Sequence, residues 1–248
     1  MPSCLHLMND SIFGDFVIDE FERLIPGDNL YWVALPEMDA RVQSIRQREK
    51  IVPFVFREYP DPAVFRSVKA VFFHSLSTGY LDAIRLIERS TKIFWFPWGY
   101  DLYPYCWAKE KIYQPLTYKF YMEWESQRTS AFMKVKRYLR RVLKTDNPAA
   151  DWRNTTIARV DYCSPIVPTE LPIIQTIPGY RAEPVRFHYG TIGSVTRDLP
   201  ELAPDPRYVF VGNSNTMASN HVDAFKKIAE SGSVKGKVIV PLSYGDGP

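Results

Sequence analysis

Short apolar runs alternate with helix-spaced segments over residues 4–96. Cys4–Met8, Leu30–Leu35, Val52–Phe56, Ala70–Phe73 and Lys92–Phe96 predict strands, rich in Val, Ile, Phe, Tyr and Trp. Several are apolar on both faces, as strands of a buried parallel sheet tend to be. Between them, Asp15–Leu24 and Leu81–Arg89 carry apolar residues at helical spacing. Repeated strand–helix units predict an α/β layer structure around a mostly parallel sheet.

A long polar-aromatic stretch follows, then a helix over Ser130–Leu143 and strand candidates at Ile157–Tyr162 and Val185–Tyr189. Ser194–Arg207, SVTRDLPELAPDPR, holds three prolines and little periodicity, which is the composition of a linker. The pattern then restarts with strand Tyr208–Val211, a glycine-led loop, helix Asn220–Glu230 and strand Lys237–Leu242. The expected organisation is a Rossmann-like domain over 1–193, a linker over 194–207, and the truncated start of a second Rossmann-like domain over 208–248. A complete second half needs roughly 100 further residues. Without them Val238–Pro241 is expected to leave an unpaired edge and an uncovered apolar face, and the chain alone is expected to be an inactive transferase.

Composition changes this picture little. The 248 residues are 46% hydrophobic and 24% charged, the balance of a globular protein. A net charge of +3 does not by itself indicate a nucleic-acid partner. Cys4, Cys106 and Cys163 form no Cys-x-x-Cys pair, which fits a reducing cytoplasm. Met1–Asp10 lacks a secretory pattern and no apolar run is long enough to span a bilayer. Any membrane contact is therefore expected to be peripheral.

Two loops carry candidate chemistry. In YVFVGNSNTMASNHVDAF (Tyr208–Phe225), a strand ends at Gly212, followed by Asn213 and Ser214, and a helix opens near Asn220 and His221. Free N–H groups and a positive helix end suit a diphosphate. Asn220 with Asp223 also has capping-box spacing, and Val222, Phe225 and Ile228 would form the buried stripe. The alternative is a polar loop that caps its own helix. A dinucleotide G-x-G-x-x-G fingerprint is absent, which disfavours an NAD enzyme.

KIFWFPWGYDLYPY (Lys92–Tyr105) puts Trp98, Asp101 and Tyr103 at the C-terminal end of a strand, where open α/β sheets bind ligands. Desolvated among aromatics, Asp101 could serve as a general base, with Trp98 and Tyr103 stacking on a sugar. A helix cap with packed aromatics is the plainer alternative. His74 and Asp10 open on the same edge as further catalytic candidates, or as a structural histidine and a turn aspartate. In FMKVKRYLRRVLK (Phe132–Lys144), helical spacing separates an apolar face from a basic one that includes Arg137, Arg140, Arg141 and Lys144. That face is either solvated or rests on anionic lipid headgroups; no module for nucleic acid accompanies it.

With FFHS (Phe72–Ser75), WFPWGYDLY (Trp95–Tyr103), FVGNS (Phe210–Ser214), the NH…A helix (Asn220, His221, Ala224) and VPLSYG (Val240–Gly245) in order, the chain resembles glycosyltransferase family 56. The resemblance implies a GT-B-type fold, with the donor on the C-terminal half and the acceptor on the N-terminal half. It also implies transfer of a 6-deoxy, acetamido-fucose-like sugar from a TDP-sugar to an undecaprenyl-diphosphate-linked saccharide. This would occur in surface glycan synthesis, such as enterobacterial common antigen, at the inner face of the cytoplasmic membrane. The GNS loop would lie near the donor diphosphate, and Asp10, His74 and Asp101 would face the acceptor. No Asp-x-Asp motif occurs, so no metal or cofactor is expected and backbone N–H groups would stabilise the leaving diphosphate. A GT-B transferase with another donor, or an inactive membrane-associated homologue, are the alternatives.

Overall fold

The computed structural model describes residues 2–37, 40–76, 78–80, 82–107, 109–128, 156–189, 207–212 and 214–242. The expected basic helix, with Arg137, Arg140, Arg141 and Lys144, lies outside the described residues, as does nearly all of the expected linker.

The chain divides into two compact units, each built from two separated segments. Met1–Cys106 joins Asn147–Leu199, and Trp107–Asp146 joins Pro200–Pro248. Sequence pattern placed 107–146 inside a continuous first domain. The fold groups that stretch with the later one because its helix finds its N-terminal partners there, as described below.

In the first unit, β1 (Cys4–Asn9), β2 (Asn29–Leu35), β3 (Ile51–Val55), β4 (Ala70–Phe73), β5 (Lys92–Trp95), β6 (Tyr162–Cys163) and β7 (Glu183–Pro184) form one sheet. Its order is β3-β2-β1-β4-β5-β6-β7, and every adjacent pair is parallel. The expected α/β class with a Rossmann-like parallel sheet is thus what the chain forms. The expected last two strands of this domain are displaced: Ile157 belongs to a helical turn, pairing begins at Tyr162, and β7 precedes Val185. Asp161 explains the late start, since its carboxylate accepts the Ile93 N–H at 2.9 Å and pins the entry to β6.

Two-residue periodicity sorts the side chains. Leu5, Leu7, Trp32, Val71, Phe73, Ile93 and Trp95 pack on one face of the sheet. Cys4, Met8, Tyr31, Val33, Ile51 and Phe72 pack on the other, beneath α1 (Gly14–Leu24). The α1 helix presents Val17, Ile18 and Phe21 to that face, and burying each such side chain stabilises by roughly 1.5–3 kcal/mol. The start of α1 also organises the long β2–β3 connection. Asp10 accepts N–H groups of Gln43, Ser44 and Ile45 at 2.6–3.2 Å, and Asp15 accepts those of Arg46 and Gln47, both at 3.1 Å. Five successive amides are thereby satisfied, and Ile45 plugs the interior against Gly14. An added Cβ on Gly14 would sit 2.5 Å from Ile45 Cγ1.

The short helices α2 (Val64–Ser67) and α3 (Ala83–Leu86) pack on the Trp32 face. The latter is shorter than the periodicity predicts. The polar-aromatic stretch after β5 is helical, with α4 (Gly99–Cys106), α5 (Lys109–Ile112) and α6 (Pro115–Arg128). Among the described residues of 147–199, α7 (Leu171–Ile174) follows β6.

The second unit contains α5, α6, β8 (Tyr208–Phe210), α8 (His221–Ser231) and β9 (Lys237–Ile239). β8 and β9 are parallel, so β8–α8–β9 is a βαβ unit. Pro115 opens α6 at the position that needs no N–H. The next amides, Leu116 and Thr117, donate to the Asp223 carboxylate at 3.1 and 2.7 Å, while Asn220 Oδ1 accepts the Gln114 N–H at 2.7 Å. A carboxylate at this helix end is favoured by orphan N–H groups and by the helix dipole. The expected buried stripe on α8 does not form. Val222 and Phe225 are 39% and 42% exposed, because the helix docks on α6 through its Asp223 side. No helix among the described residues is long and apolar enough to cross a membrane.

Candidate functional site

Strand order fixes where a ligand fits. The chain winds outward from β1 through β2 and β3, then restarts at β4 on the other side of β1. Crossovers on either side of that switch point leave a crevice beyond the C-terminal ends of β1 and β4. Asn9 and Asp10 leave β1 there, and His74 and Ser75 leave β4.

Asn9 is half-buried and donates its amide to Tyr100 Oη at 2.7 Å and to Ser75 Oγ at 3.3 Å, while accepting from Tyr80 Oη at 3.1 Å. Tyr100 is 57% exposed and brings an aromatic face to the rim. Trp98 lies half-buried between Phe13 and Tyr189, with ring centroids 4.8 Å away on each side.

Asp101 sits behind this rim, only 3% exposed. Its carboxylate accepts the Leu76 N–H at 2.6 Å, the Trp95 indole N–H at 3.0 Å and the Trp98 N–H at 2.5 Å. It is the third residue of α4 reaching back to the residue before the helix, half of a capping box, and it also ties the β4 and β5 loops together. Burial pushes its carboxyl up to about 6, against the three donors that favour the charged form. The anticipated desolvation is present; the carboxylate oxygens are engaged by the backbone and an indole.

His74 is likewise buried, at 6% exposure, with both ring nitrogens engaged. Nε2 lies 3.1 Å from His6 Nδ1, and Nδ1 lies 3.1 Å from Tyr189 Oη. His6, fully buried, stacks on Phe72 and Tyr31 and places Nε2 3.2 Å from Asn29 Oδ1. Burial drives the His6 imidazole down to about 3 and that of His74 well below its ordinary value, so both rings are neutral. Asp10, as described, anchors the β2–β3 connection. Tyr103 donates to the buried Glu170 carboxylate, which also accepts the Val167 N–H at 3.3 Å, joining α4 to the turn before α7.

Sequence reasoning singled out Asp10, His74, Trp98, Asp101 and Tyr103, and the fold brings Asp10, His74, Trp98 and Asp101 to one edge. It passed over Asn9, His6 and Tyr189. Parity could have found His6: it pairs with Phe72 across β1 and β4, and His74 follows Phe72 by one strand repeat on the same face.

The glycine-led loop belongs to the second unit. Gly212 has φ +70°, and a Cβ there would meet His221 Nε2 at 2.2 Å, so the glycine admits the imidazole over the loop backbone. Among the described residues, that buried nitrogen has no hydrogen-bond partner. Ser214, also buried, bonds to Thr216 and Ser219 through hydroxyls 3.2 and 3.0 Å away. Asn213 lies outside the described residues. Asn220 has left-handed backbone, φ 52°, and makes no side-chain cap to its own helix. The expected Asn220/Asp223 capping box is therefore replaced by caps on α6. Among the described residues no cluster of histidine, cysteine or carboxylate side chains is placed to hold a metal.

The fold and its crevice define a Rossmann-like α/β unit with an aromatic rim, followed by a βαβ restart. No model of a known protein family matches the chain, and no curated protein does. Among solved structures the chain is similar to an alpha-glucosyltransferase in complex with UDP and a 13-mer DNA containing a HMU base. The identity is 9% and the TM-score 0.44, over 87% of this chain and 50% of that one. The chain spans half the length of that protein.

Proposed function

We propose that the protein is a glycosyltransferase of GT-B type, in which the first unit receives the saccharide acceptor at the β1/β4 crevice. The observation that carries this reading is the rim itself: Trp98, Tyr100 and Asn9 set an indole, a phenol and a primary amide at a switch point. Aromatic faces suit the apolar face of a pyranose, and an amide and hydroxyls suit its polar edge.

In the reaction, the acceptor hydroxyl oxygen bonds to the donor sugar C1 as the C1–O bond to the diphosphate breaks, and the hydroxyl proton passes to the departing diphosphate or to water. In the second unit, the amides around Gly212 and the N-terminal end of α8, with His221 Nε2 beside them, are groups of the kind that meet the charge of a diphosphate. Asp101 serves this site by holding the Trp98–Tyr103 turn. The resemblance to family 56 supports a TDP-linked 6-deoxy, acetamido-fucose-like donor. It also supports an undecaprenyl-diphosphate-linked acceptor, met from the cytoplasmic face of the membrane.

The test is incubation of the full-length gene product with a panel of TDP- and UDP-sugars and with vesicles carrying undecaprenyl-diphosphate-linked saccharides, with products read by mass spectrometry. A glycosylated lipid is expected with the TDP-sugar of the acetamido-fucose class. Absence of both transfer and saturable nucleotide-sugar binding would overturn the reading.

A further inference from the structure

The side-chain amide of Asn9, at the end of β1, is fixed from behind. Its Oδ1 lies 3.1 Å from Tyr80 Oη, a hydroxyl that also reaches the Met8 carbonyl oxygen at 2.5 Å. Its Nδ2 lies 3.3 Å from Ser75 Oγ. Tyr80 and Ser75 are both fully buried. Two interior hydroxyls from the segment after β4 therefore hold the amide, and little freedom to turn is left to it.

At the front the support is of another kind. The partner there is Tyr100 Oη at 2.7 Å, and Tyr100 is 57% exposed. Tyr100 belongs to α4, which follows β5, and the strand between β5 and β1 is β4. The contact thus joins the two flanks of the crevice across the exit of β4, where a ligand would reach the amide. The backbone beneath Tyr100 is closed, since the Leu102 N–H donates to Trp98 O at 3.0 Å and Asp101 accepts the Trp98 N–H at 2.5 Å. What is able to move is the Tyr100 side chain, about two torsions, and exposed side chains change rotamer in about picoseconds to nanoseconds.

A phenol hydroxyl and a sugar hydroxyl have the same capacity, with a proton to give and lone pairs to receive. Tyr100 Oη therefore stands where a pyranose hydroxyl would stand, on an amide already oriented to meet it. Leaving that half-buried amide bare would cost free energy, and a residue of the rim that covers it in the empty crevice removes the cost. A ligand hydroxyl that takes over the contact exchanges one hydrogen bond for another. A ligand without that hydroxyl has nothing to exchange, and the clasp stays closed.

We propose that the Asn9 amide is a specificity-determining contact for one hydroxyl of a saccharide, and that Tyr100 stands in for that hydroxyl until the saccharide displaces it. The choice of ligand rests on the saccharide reading of the crevice; the clasp between Asn9 and Tyr100 does not.

The test reads the clasp and the ligand separately. In the protein without ligand, the Asn9 side-chain amide protons are followed by NMR and assigned by their loss in Asn9→Ala. Tyr100→Phe keeps the ring and removes the hydroxyl. It should shift those resonances and speed their exchange with water about two- to tenfold, in line with one lost hydrogen bond. Resonances indifferent to Tyr100→Phe would overturn the clasp.

Titration with methyl N-acetyl-β-glucosaminide and its mono-deoxy analogues supplies the ligand arm. Tyr100→Phe should bind the full sugar about two- to tenfold more tightly than the parent, because the competitor for one hydrogen bond is gone. That gain should vanish for the analogue that lacks the displacing hydroxyl, and for the full sugar when Tyr100→Phe is made in an Asn9→Ala background. The analogues put the question without altering Asn9, whose replacement also removes its contacts to Tyr80 and Ser75. Equal or weaker binding of the full sugar by Tyr100→Phe, or a gain that persists with every analogue, would overturn the exchange. Absence of binding by both proteins would count against the saccharide reading and remove the exchange with it, while the signals without ligand still decide the clasp.

Discussion

Replacing Asp101 by Asn separates a buried anchor from a reactive base. The unfolded carboxyl titrates near 3.8, and in the fold burial raises it to about 6. A group raised on folding favours the fold most when protonated. Its contribution is therefore fully present below pH 3.8 and is lost as pH rises through about 6. Integrating that shift to pH 7 gives about 3 kcal/mol lost by the unmodified protein between acid and neutral conditions. Asn has no such component. Its amide oxygen can still accept from Leu76 N and Trp95 Nε1, but its NH₂ then faces the Trp98 N–H, at a cost of about 1–3 kcal/mol. Asp101→Asn should thus be less stable than the parent by about that amount at pH 4 and roughly equal to it at pH 7, the two effects offsetting. Native-state hydrogen exchange at the β4 amides of Val71 and Phe73, from pH 4 to 7.5, measures the first unit by itself. His6 is common to both proteins, so its acid-side loss cancels in the difference. A stability difference that does not change with pH would refute the argument. Transfer activity of the full-length gene product adds a second reading: an anchor predicts turnover within about tenfold of the parent, whereas a general base predicts a loss of about 10²–10⁴.

Three other outcomes follow from the geometry. The His6 imidazole, lowered on folding to about 3, contributes stability above its unfolded value of 6.5 that is lost as pH falls; about 2 kcal/mol should be gone at pH 5, and His6→Gln should flatten that limb in urea titrations. Gly212→Ala should destabilise the second unit by about 1 kcal/mol or more, through a strained positive φ and a Cβ on the His221 ring; a melting temperature equal to the parent's would argue against it. Neutralising Arg137, Arg140, Arg141 and Lys144 should release the protein from anionic vesicles if that stretch docks on lipid, and parent binding should weaken with salt; equal retention on sedimented vesicles favours a solvated face.

The first five strands were legible because their apolar runs are continuous, and the fold starts each within one residue of the predicted position. β6 and β7 were not, since two-residue strands carry no periodicity, and the Asp161 contact that starts one of them spans 68 residues. The helices α4 to α6 escaped because aromatic and charged residues mix around them; what specifies α6 is Pro115 and two acceptors far along the chain. At the site, the edge and several of its residues could be named from strand ends. Their partners could not be, because Asp10, His74 and Asp101 contact amides and rings from other strands and loops. A carboxylate among aromatics suggests a base in sequence; the three N–H donors that engage it come from Leu76, Trp95 and Trp98 and are not legible there. His6 lay inside a run taken as apolar, where only its parity with Phe72 marked it.

The caps on α6 have a consequence for the order in which the protein can be finished on the ribosome. The Leu116 and Thr117 amides wait for a carboxylate that lies 107 and 106 residues later. In between, 147–199 must emerge and add β6 and β7 to the first sheet. The first unit therefore closes while α6 is still uncapped, and the second cannot close until Asn220 and Asp223 have left the exit tunnel. A nascent chain stalled between these points would carry a mature first sheet and a helix start with unclaimed amides. That interval, set by closing a long loop and not by local propensity, is where a chaperone that holds exposed helices would find its opening.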